Sequence, residues 1–354
     1  MSGDDCLIRA YLYNTSWSTF GGGEKYICRL ADVLSKLPRY DVTLLVDKAF
    51  ITKEQLRKYF DIALEGVTLE IVQRRTVTKI LDSADLGIIM SNFRSFGNHA
   101  KRNVYVLQIP YPQINFTSLV LKAIRENPKE SLKDLMRLSL LRDARKANLV
   151  LVYSTFVQQV LREHHRVDGQ VLHPPIDDFY TGTQKRDVVL SVGRFFSGLY
   201  NDKRFDVLIE AFKRLSTHPA AKPWEYRLVG SCGKDPSSQR YLASLKEVAR
   251  GYPIYFHVNT SYDELRRQYN EAKIFWHAAG YGVDEAKHPE RMEHFGMSTV
   301  EAMSARCLPI VINKGGQKEI VFHGESGYLW NTVDELIDVT LKMMTNAGLR
   351  AKLQ

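Results

Sequence analysis

The sequence predicts an α/β protein with two doubly wound domains, each built on a parallel sheet. Short apolar runs alternate along the chain with segments whose apolar residues recur at helical spacing. This alternation is typical of open parallel sheets covered by helices on both faces. A proline-containing stretch, His173-Pro-Pro-Ile-Asp-Asp-Phe179, interrupts the alternation. The length of 354 residues is sufficient for two domains of ordinary size.

In the first domain the loop after the opening strand ends in Gly21, Gly22 and Gly23, and Glu24–Leu37 follows as a helix. Strand, glycine loop and helix form a geometry that can hold an anion, although the same glycines can equally form a flexible turn. The spacing lacks the third glycine of the dinucleotide fingerprint. The predicted strands are Leu7–Tyr13, Val42–Val46, Val67–Val72, Leu86–Met90, Val104–Leu107 and Leu149–Tyr153.

Two further features of this domain suggest ligand contacts. Gln108-Ile-Pro110 follows a predicted strand, at the edge where sheets of this class bind ligands. Residues 119–146 carry cations among leucines, which is consistent with a solvated pair of helices or with contact to anionic lipid headgroups or a phosphorylated acceptor. The cations are Lys122, Arg125, Lys129, Lys133, Arg137, Arg142, Arg145 and Lys146.

We predict domains at residues 1–174 and 183–354, joined by a linker at residues 175–182. The two prolines, Pro174 and Pro175, exclude a helix at the junction and favour a stiff extended connection. Two domains joined in this way are expected to face each other across a cleft, where a ligand can bind.

The second domain places two cations near the end of its first strand. Arg194 follows that strand, and Lys203 precedes the next helix. An arginine can donate two hydrogen bonds to phosphate oxygens, and a lysine adds a compact charge. Each can also be a simple surface cation, and Arg204 is an alternative to Lys203. The predicted strands are Val188–Gly193, Tyr226–Gly230, Ile254–His257, Ile274–His277 and Leu308–Ile312.

The segment Glu293-His-Phe-Gly-Met-Ser-Thr-Val-Glu301 places two carboxylates around a glycine turn. We expect a helix to begin here with Ser298 or Thr299 as its N-cap, so that free backbone amides near Gly296 can bind a diphosphate. Carboxylates repel phosphate but suit hydroxyl groups, so the segment predicts a ligand with both phosphate and sugar hydroxyls. The structural alternative is a capping box, in which Glu301 binds the amide of Ser298.

This segment resembles the retaining glycosyltransferases of family 4, which have the GT-B fold of two Rossmann-like domains. Gly315-Gly316-Gln-Lys-Glu319 and Gly324-Glu-Ser-Gly327 fit the same family. The residues Glu-His-Phe-Gly are similar to those of mannosyltransferases that extend lipid-linked oligosaccharides, and of their bacterial relatives. The resemblance spans nearly the whole chain. It implies transfer of a hexose, with a slight preference for mannose, from a GDP- or UDP-linked donor to a glycan or lipid-linked acceptor.

The resemblance also implies residue roles. It assigns Arg194 and Lys203 to the donor diphosphate, Glu293 to sugar hydroxyls near the reacting carbon, and Glu301 to the ribose. Relatives often have His-x-Pro where this chain has Gln108-Ile-Pro, so only an acceptor-side role for Gln108 is predicted. The implied catalytic residues are Glu293, Arg194 and Lys203, and the donor-binding residues are Gly21, Gly22, Gly23, Arg194, Lys203, Glu293, Phe295, Gly296, Met297 and Glu301.

No metal ion and no cofactor other than the nucleotide sugar are expected. The sequence contains no Asp-x-Asp, and His277 and His288 lack the spacing of metal ligands. Two other interpretations remain open, a nucleotide-sugar epimerase or phosphorylase of the same fold and a non-catalytic nucleotide-sugar-binding module. Arg306 stands at a helix end where relatives usually have glycine.

Composition limits the other classes of function. The hydrophobic content of 44% is that of a globular protein, and the net charge of +9 favours anionic partners. The sequence has no nucleic-acid-binding signature, so no nucleic acid partner is expected. Its four cysteines lack metal spacing, and neither a signal sequence nor a membrane-spanning run is evident. We therefore expect a cytoplasmic protein, either soluble or attached to the cytoplasmic face of a membrane.

Overall fold

The computed structural model describes residues 7–17, 21–115, 128–196 and 202–353, together with residues 119 and 124. The chain divides into two compact units, Met1–Pro175 and Ile176–Gln354. The division falls at the first residue of the predicted linker 175–182. Phe179 of that stretch is fully buried, and its N–H donates to Ser304 Oγ at 2.9 Å, so it packs within the second unit.

The first unit is built on a parallel sheet of seven strands in the order β3-β2-β1-β4-β5-β6-β7. Because the direction in which successive strands are added to the sheet reverses between β1 and β4, this is the doubly wound arrangement predicted from the sequence. The elements are β1 (Ile8–Asn14), α1 (Gly22–Ser35), β2 (Tyr40–Val46), α2 (Lys53–Phe60), β3 (Val67–Ile71), α3 (Val77–Asp82), β4 (Leu86–Met90), β5 (Arg102–Leu107), α4 (Pro128–Ala144), β6 (Leu149–Val152), α5 (Thr155–His165) and β7 (Gln170–Val171).

The second unit has a parallel sheet of six strands in the order β10-β9-β8-β11-β12-β13. The structure confirms the predicted α/β class with two Rossmann-like sheets. The elements are β8 (Arg186–Val192), α6 (Phe205–Ser216), β9 (Glu225–Gly230), α7 (Pro236–Val248), β10 (Ile254–Val258), α8 (Tyr262–Glu271), β11 (Ala272–His277), α9 (Met297–Ser304), β12 (Leu308–Ile312), α10 (Gln317–Ile320), β13 (Tyr328–Trp330), α11 (Val333–Thr345) and α12 (Ala347–Leu353).

Both faces of the second sheet are covered, which explains why its central strands are continuous apolar runs. Along β11, Trp276 packs into one apolar layer, and Phe275, its neighbour, packs into the other. The first layer includes Leu208 and Phe212 of α6, and the second includes Ala302 of α9. Since all strands of the sheet are parallel, the residues after β8 and β11 lie at the same edge. Arg194 and His277 are at this edge.

The start of α9 differs from the prediction. Gly296 is the N-cap, with φ +116°, and the helix begins at Met297 rather than after Ser298 or Thr299. The N–H groups of Thr299 and Val300 donate to the Gly296 carbonyl at 2.9 and 3.1 Å. Glycine adopts positive φ without steric cost, and this sets the helix start two residues before the hydroxyl side chains that usually cap helices.

The other end of α9 forms without the glycine that the resemblance led us to expect. Arg306 takes φ +60°, the left-handed conformation that glycine favours. The Cys307 N–H donates to the Ala302 carbonyl at 2.8 Å, which closes the helix end. The Arg306 guanidinium lies 4.0 Å from the centroid of the Tyr180 ring, a cation–π contact that favours this conformation. No helix among the described residues has the length and apolar character required to cross a bilayer.

Candidate active site

Glu293 is fixed by the turn between β12 and α10. The Gly316 N–H donates to the Glu293 carbonyl at 2.8 Å. Gly315 has φ +58°, and a Cβ at this position would overlap the same carbonyl oxygen. A Cβ on Gly316 would lie 2.6 Å from the Cα of Phe295. The glycine pair therefore permits the close backbone approach that holds Glu293 and Phe295 in place.

The side chain of Glu293 joins Lys203 and His277 in a buried cluster. Lys203 Nζ donates to Glu293 Oε2, and His277 Nε2 lies 3.0 Å from the same oxygen. The exposed fractions of the Lys203 and Glu293 side chains are only 14% and 10%. The prediction placed Lys203 on the donor diphosphate and Glu293 on the sugar. The structure brings the two residues into one ion pair.

The contacts of His277 determine its tautomer. Burial lowers the pKa of His277, and the charge of Lys203 opposes protonation, whereas Glu293 favours it; the net pKa lies below the ordinary value. A neutral ring that donates from Nε2 to Glu293 leaves Nδ1 as an acceptor, and the Ala279 N–H lies 3.4 Å from Nδ1. His277 is therefore a neutral hydrogen-bond donor to the carboxylate.

The Glu293 carboxylate is held in its ionised form. Burial alone raises the pKa of a carboxyl group, but the attraction of Lys203 and the hydrogen bond from His277 outweigh burial here. The pKa of Glu293 is consequently well below its usual range. A buried carboxylate that remains ionised can interact with positive charge that develops beside it.

The side chain of Lys203 packs against Gly193. A Cβ on Gly193 would lie 2.6 Å from Lys203 Cγ, so the lysine stem lies along the end of β8. Arg204 donates to the Tyr281 carbonyl at 2.7 Å, and its Nη2 lies 3.0 Å from Asp206 Oδ2. Arg204 is thus engaged at the start of α6, and the alternative in which it takes the part of Lys203 remains a prediction.

Arg194 is the other cation predicted to bind the donor diphosphate. It is exposed, and its guanidinium lies 4.8 Å from the centroid of the Phe196 ring. Arg194 directly follows Gly193, whose backbone contacts the Lys203 side chain. Residues 197–201, between the two predicted cations, lie outside the described part of the chain. The predicted contact of Arg194 with a donor diphosphate remains a prediction.

The N-terminus of α9 lies immediately after the Glu293 cluster. Gly296 packs against the side chain of Gln317, where an added Cβ would lie 3.0 Å from Gln317 Nε2. Met297 is the first residue of the helix and is partly exposed. This end of the helix carries the positive pole of its dipole, as the predicted anion site requires.

The structural alternative for Glu301 is wrong. With Gly296 as N-cap, Glu301 is the fifth residue of α9 and cannot occupy the third position that a capping box requires. Instead Glu301 Oε2 accepts a hydrogen bond from the Tyr269 hydroxyl at 2.9 Å. Burial, together with the nearby Glu301 charge, raises the pKa of Tyr269 well above its ordinary value, so the hydroxyl stays protonated and donates. The ribose role of Glu301 remains a prediction.

In the first unit, Gln108 lies beside the glycine loop. A Cβ on Gly23 would lie 3.2 Å from Gln108 Oε1, and Gln108 Nε2 donates to Asn92 Oδ1 at 2.9 Å. The Gly21 N–H donates to Glu24 Oε2 at 3.0 Å, so this amide at the start of α1 is already engaged. Gly22 is the first residue of α1. Residues 18–20, just before these glycines, lie outside the described part of the chain.

Two side chains, one in each unit, were missed in the sequence. His277 was considered only as a metal ligand, and Asn92 was not considered. His277 ends β11, and Asn92 follows the end of β4. Ligands bind at the carboxyl ends of parallel strands, so this position would have identified both residues. Across the described part of the chain, no group of three or more His, Cys, Asp or Glu side chains is arranged to hold a metal ion.

Residues 176–354, just over half of the chain, match the family described as Glycosyl transferases group 1. The chain belongs to this family. The matched part of the group 1 glycosyl transferase contains the Lys203, His277 and Glu293 cluster and the start of α9.

This group 1 glycosyl transferase is similar to curated mannosyltransferases. It is 25% identical over 208 residues to the GDP-Man:Man(3)GlcNAc(2)-PP-Dol alpha-1,2-mannosyltransferase of Dictyostelium discoideum, which covers 53% of this chain and 39% of that protein. The protein of the same description from Xenopus laevis is 30% identical over 155 residues, which covers 41% of this chain and 29% of the relative. The chain thus spans less than half the length of these relatives.

Solved structures show the same fold over nearly the whole group 1 glycosyl transferase. Anabaena Alr3699/HepE in complex with UDP-glucose matches with a TM-score of 0.66 at 17% identity, covering 98% of this chain and 92% of that one. The sucrose-phosphate synthase of Thermosynechococcus elongatus matches with a TM-score of 0.65 at 15% identity, covering 98% and 92%. These similarities confirm the predicted GT-B fold.

Proposed function

We propose that this chain transfers a hexose from a nucleoside diphosphate sugar to a hydroxyl group of a glycan or lipid-linked acceptor. The observation that carries the proposal is the buried Lys203–Glu293 pair beside the N-terminus of α9, within the part that matches the glycosyl transferase family. A cation and a helix N-terminus suit a diphosphate, and an ionised carboxylate suits the sugar. The descriptions of the mannosyltransferase relatives favour GDP-mannose as donor.

The charges of the cluster suit the transition state of this reaction. Negative charge develops on the leaving diphosphate, where Lys203, Arg194 and the amides around Gly296 and Met297 would stabilise it. Positive charge develops on the sugar ring, where the Glu293 carboxylate would stabilise it. Preorganised charges of this kind lower the barrier because they need little rearrangement during the reaction.

We further propose that transfer proceeds with retention at the anomeric carbon, as in glycosyltransferases of family 4, and needs no metal ion. Glu293 is the buried carboxylate of the cluster, and its Oε2 is engaged by Lys203 and His277, which makes it a weak nucleophile. A front-face route, in which the leaving diphosphate accepts the proton of the acceptor hydroxyl, fits this arrangement. The anomeric configuration of the product, measured by NMR, decides the question: inversion would contradict the proposal.

A panel of nucleotide sugars tests the donor. We expect GDP-mannose to raise the melting temperature more than UDP-glucose, because the descriptions of the relatives favour GDP-mannose as donor. The shift reports binding, since a ligand at a hundred times its Kd adds about 2.7 kcal/mol to stability. The best donor is then incubated without acceptor, and its products are identified. Slow release of free hexose supports a transferase, whereas conversion to an epimeric donor would indicate an epimerase. Binding without any turnover in the presence of candidate acceptors would indicate a non-catalytic module.

We also propose that α4 contacts an anionic membrane surface, such as the cytoplasmic leaflet. The helix buries polar residues, including Asp134 and Arg137, while Leu132 and Leu135 are 58% and 52% exposed. Lys133 and Arg142 are on its exposed side. Exposed leucines flanked by cations suit the interface of an anionic bilayer. The predicted cations Lys122 and Arg125, and the side chain of Lys129, lie outside the described residues.

The double substitution Leu132→Glu/Leu135→Glu is expected to weaken binding to phosphatidylserine-containing vesicles at least about tenfold. Two leucines that enter the interface contribute about 1.5–3 kcal/mol each, and 1.4 kcal/mol corresponds to a factor of ten. Co-sedimentation with vesicles measures the change. Phe322→Glu is a matched control, because Phe322 is 60% exposed in the second unit. Equal binding of the double variant and the parent protein would contradict the assignment of this surface.

A further inference from the structure

One oxygen of Glu293 carries two hydrogen bonds that hold the buried cluster together. Lys203 and His277 both donate to Oε2, and Lys203 Nζ lies 3.5 Å from His277 Nε2. With His277 neutral, the ammonium and the carboxylate balance each other. The charge balance of the cluster therefore depends on Lys203 alone.

His277 is shielded from other charges. It ends β11, and its partner in the neighbouring strand β12 is the apolar Val311. Among the described residues, the charged groups that act on it are Lys203, from the loop before α6, and Glu293, from the loop before α9. His294 follows Glu293 and is also buried, but its Nε2 interacts with the Glu290 carbonyl at 3.1 Å.

A diphosphate changes this balance if it binds Lys203, as the proposed function requires. The ammonium is then shared between phosphate oxygens and Glu293, and negative charge is added next to an already buried carboxylate. Burying an anion without a cation is strongly unfavourable, so the cluster gains from acquiring a second positive charge. His277 is the titratable group in direct contact with the carboxylate.

We propose that His277 takes up a proton when a nucleoside diphosphate engages Lys203, so that Glu293 keeps a cationic partner. The proton comes from solvent and adds to Nδ1, while Nε2–H continues to donate to Glu293. In the resulting imidazolium both ring nitrogens are donors. The Ala279 N–H, which lies 3.4 Å from Nδ1, must then turn away from it. The inference rests on the proposed role of Lys203 in donor binding.

The direction of the proton transfer follows from the forces on His277. Burial is the largest force that lowers its pKa, and Lys203 lowers it further, while Glu293 raises it. Phosphate charge near Lys203 cancels the repulsion from the ammonium and leaves the attraction of Glu293. The pKa of His277 therefore rises on binding. The nucleotide responds in the opposite sense, because binding to cations favours its fully ionised form and releases protons.

Calorimetry measures this coupling directly. UDP and GDP are titrated into the full chain at pH 7 in PIPES and in Tris, two buffers with different ionisation enthalpies. We expect the parent protein to take up about 0.3 proton or more per bound nucleotide beyond the value for His277→Gln, since this difference cancels the protons that the nucleotide itself releases. Equal proton uptake by the parent protein and His277→Gln, with binding intact in both, would overturn the inference and leave the proposed function intact. Failure of both nucleotides to bind would overturn the two together.

Two variants assign the proton to its site. His277→Gln keeps an amide N–H for Glu293 but cannot titrate, so the uptake due to His277 should be absent while binding persists. His294→Gln is the matched control, because it removes a neighbouring buried histidine, and uptake should remain as in the parent protein. Uptake that persists in H277Q, or disappears only in H294Q, would overturn the assignment. If H277Q does not fold, 15N NMR of the histidine rings in the parent protein, with and without UDP, gives the same answer.

Discussion

Replacing Glu293 by Gln is expected to reduce turnover of the donor by a factor of about 100–1,000, the usual cost of removing one preorganised electrostatic contact in an active site. The amide has nearly the shape of the carboxylate but no charge to stabilise the positive sugar. Donor affinity should remain or increase, because Lys203 loses its internal anion and becomes fully available to the diphosphate. The loss therefore appears in kcat rather than in donor KM.

Release of nucleoside diphosphate from the best donor measures this turnover, and calorimetry measures donor affinity. Glu247→Gln is a suitable control, because Glu247 is an exposed carboxylate on α7 that pairs with Arg250, just beyond the end of the helix. Unchanged turnover in E293Q would refute the catalytic role of Glu293. A large loss of donor affinity with unchanged kcat would instead assign Glu293 to ground-state binding.

Much of the fold could be predicted because the interior strands are buried on both faces. The limits of β4 and β12 agree with the prediction at both ends, since Leu86–Met90 and Leu308–Ile312 are uninterrupted apolar runs. Two strands were missed, Gln170–Val171 and Tyr328–Trp330. Both lie at a sheet edge and are only two or three residues long, so they have no apolar run that distinguishes them from loops.

The sequence suggested candidate site residues one by one, but it did not predict which of them contact each other. Lys203 and Glu293 were identified separately, one for phosphate and one for sugar, because residues 90 positions apart carry no local signal of contact. The start of α9 was misplaced because the usual preference for hydroxyl N-caps favoured Ser298 or Thr299. The positive φ of Gly296 depends on packing against Gln317, which is distant in the sequence.

Replacing Lys203 by Met is expected to lower the free energy of unfolding of the second unit by about 3–5 kcal/mol at pH 8. Methionine fills a similar volume along Gly193 but leaves the Glu293 carboxylate buried without its cation. Thermal unfolding followed by circular dichroism measures the loss. Lys246→Met on α7 is a control for removal of a lysine elsewhere in the unit.

The pH dependence separates this effect from simple loss of packing. In the parent protein the lowered pKa of Glu293 contributes stability above the unfolded carboxyl pKa of about 4.3, and this contribution is lost as pH falls below that value. In K203M the ammonium no longer repels a protonated His277, so the pKa of His277 rises and at low pH the imidazolium supplies the cation that Glu293 has lost. This contribution is lost as pH rises through the new pKa of His277, and the Glu293 carboxylate is then buried without a cation. The deficit of K203M should accordingly be smaller at pH 5 than at pH 8.

The double variant Lys203→Met/Glu293→Gln tests whether the unpaired charge of Glu293 causes the loss of stability. It removes both charges, so no unpaired ion remains buried, and most of the stability lost in K203M should return. His277 can still donate from Nε2 to the side-chain oxygen of the glutamine, which keeps the remaining polar atoms satisfied. A double variant no more stable than K203M would mean that the loss comes from packing of the lysine stem. Recovery would show that Lys203 is the counter-ion on which the buried charge of Glu293 depends.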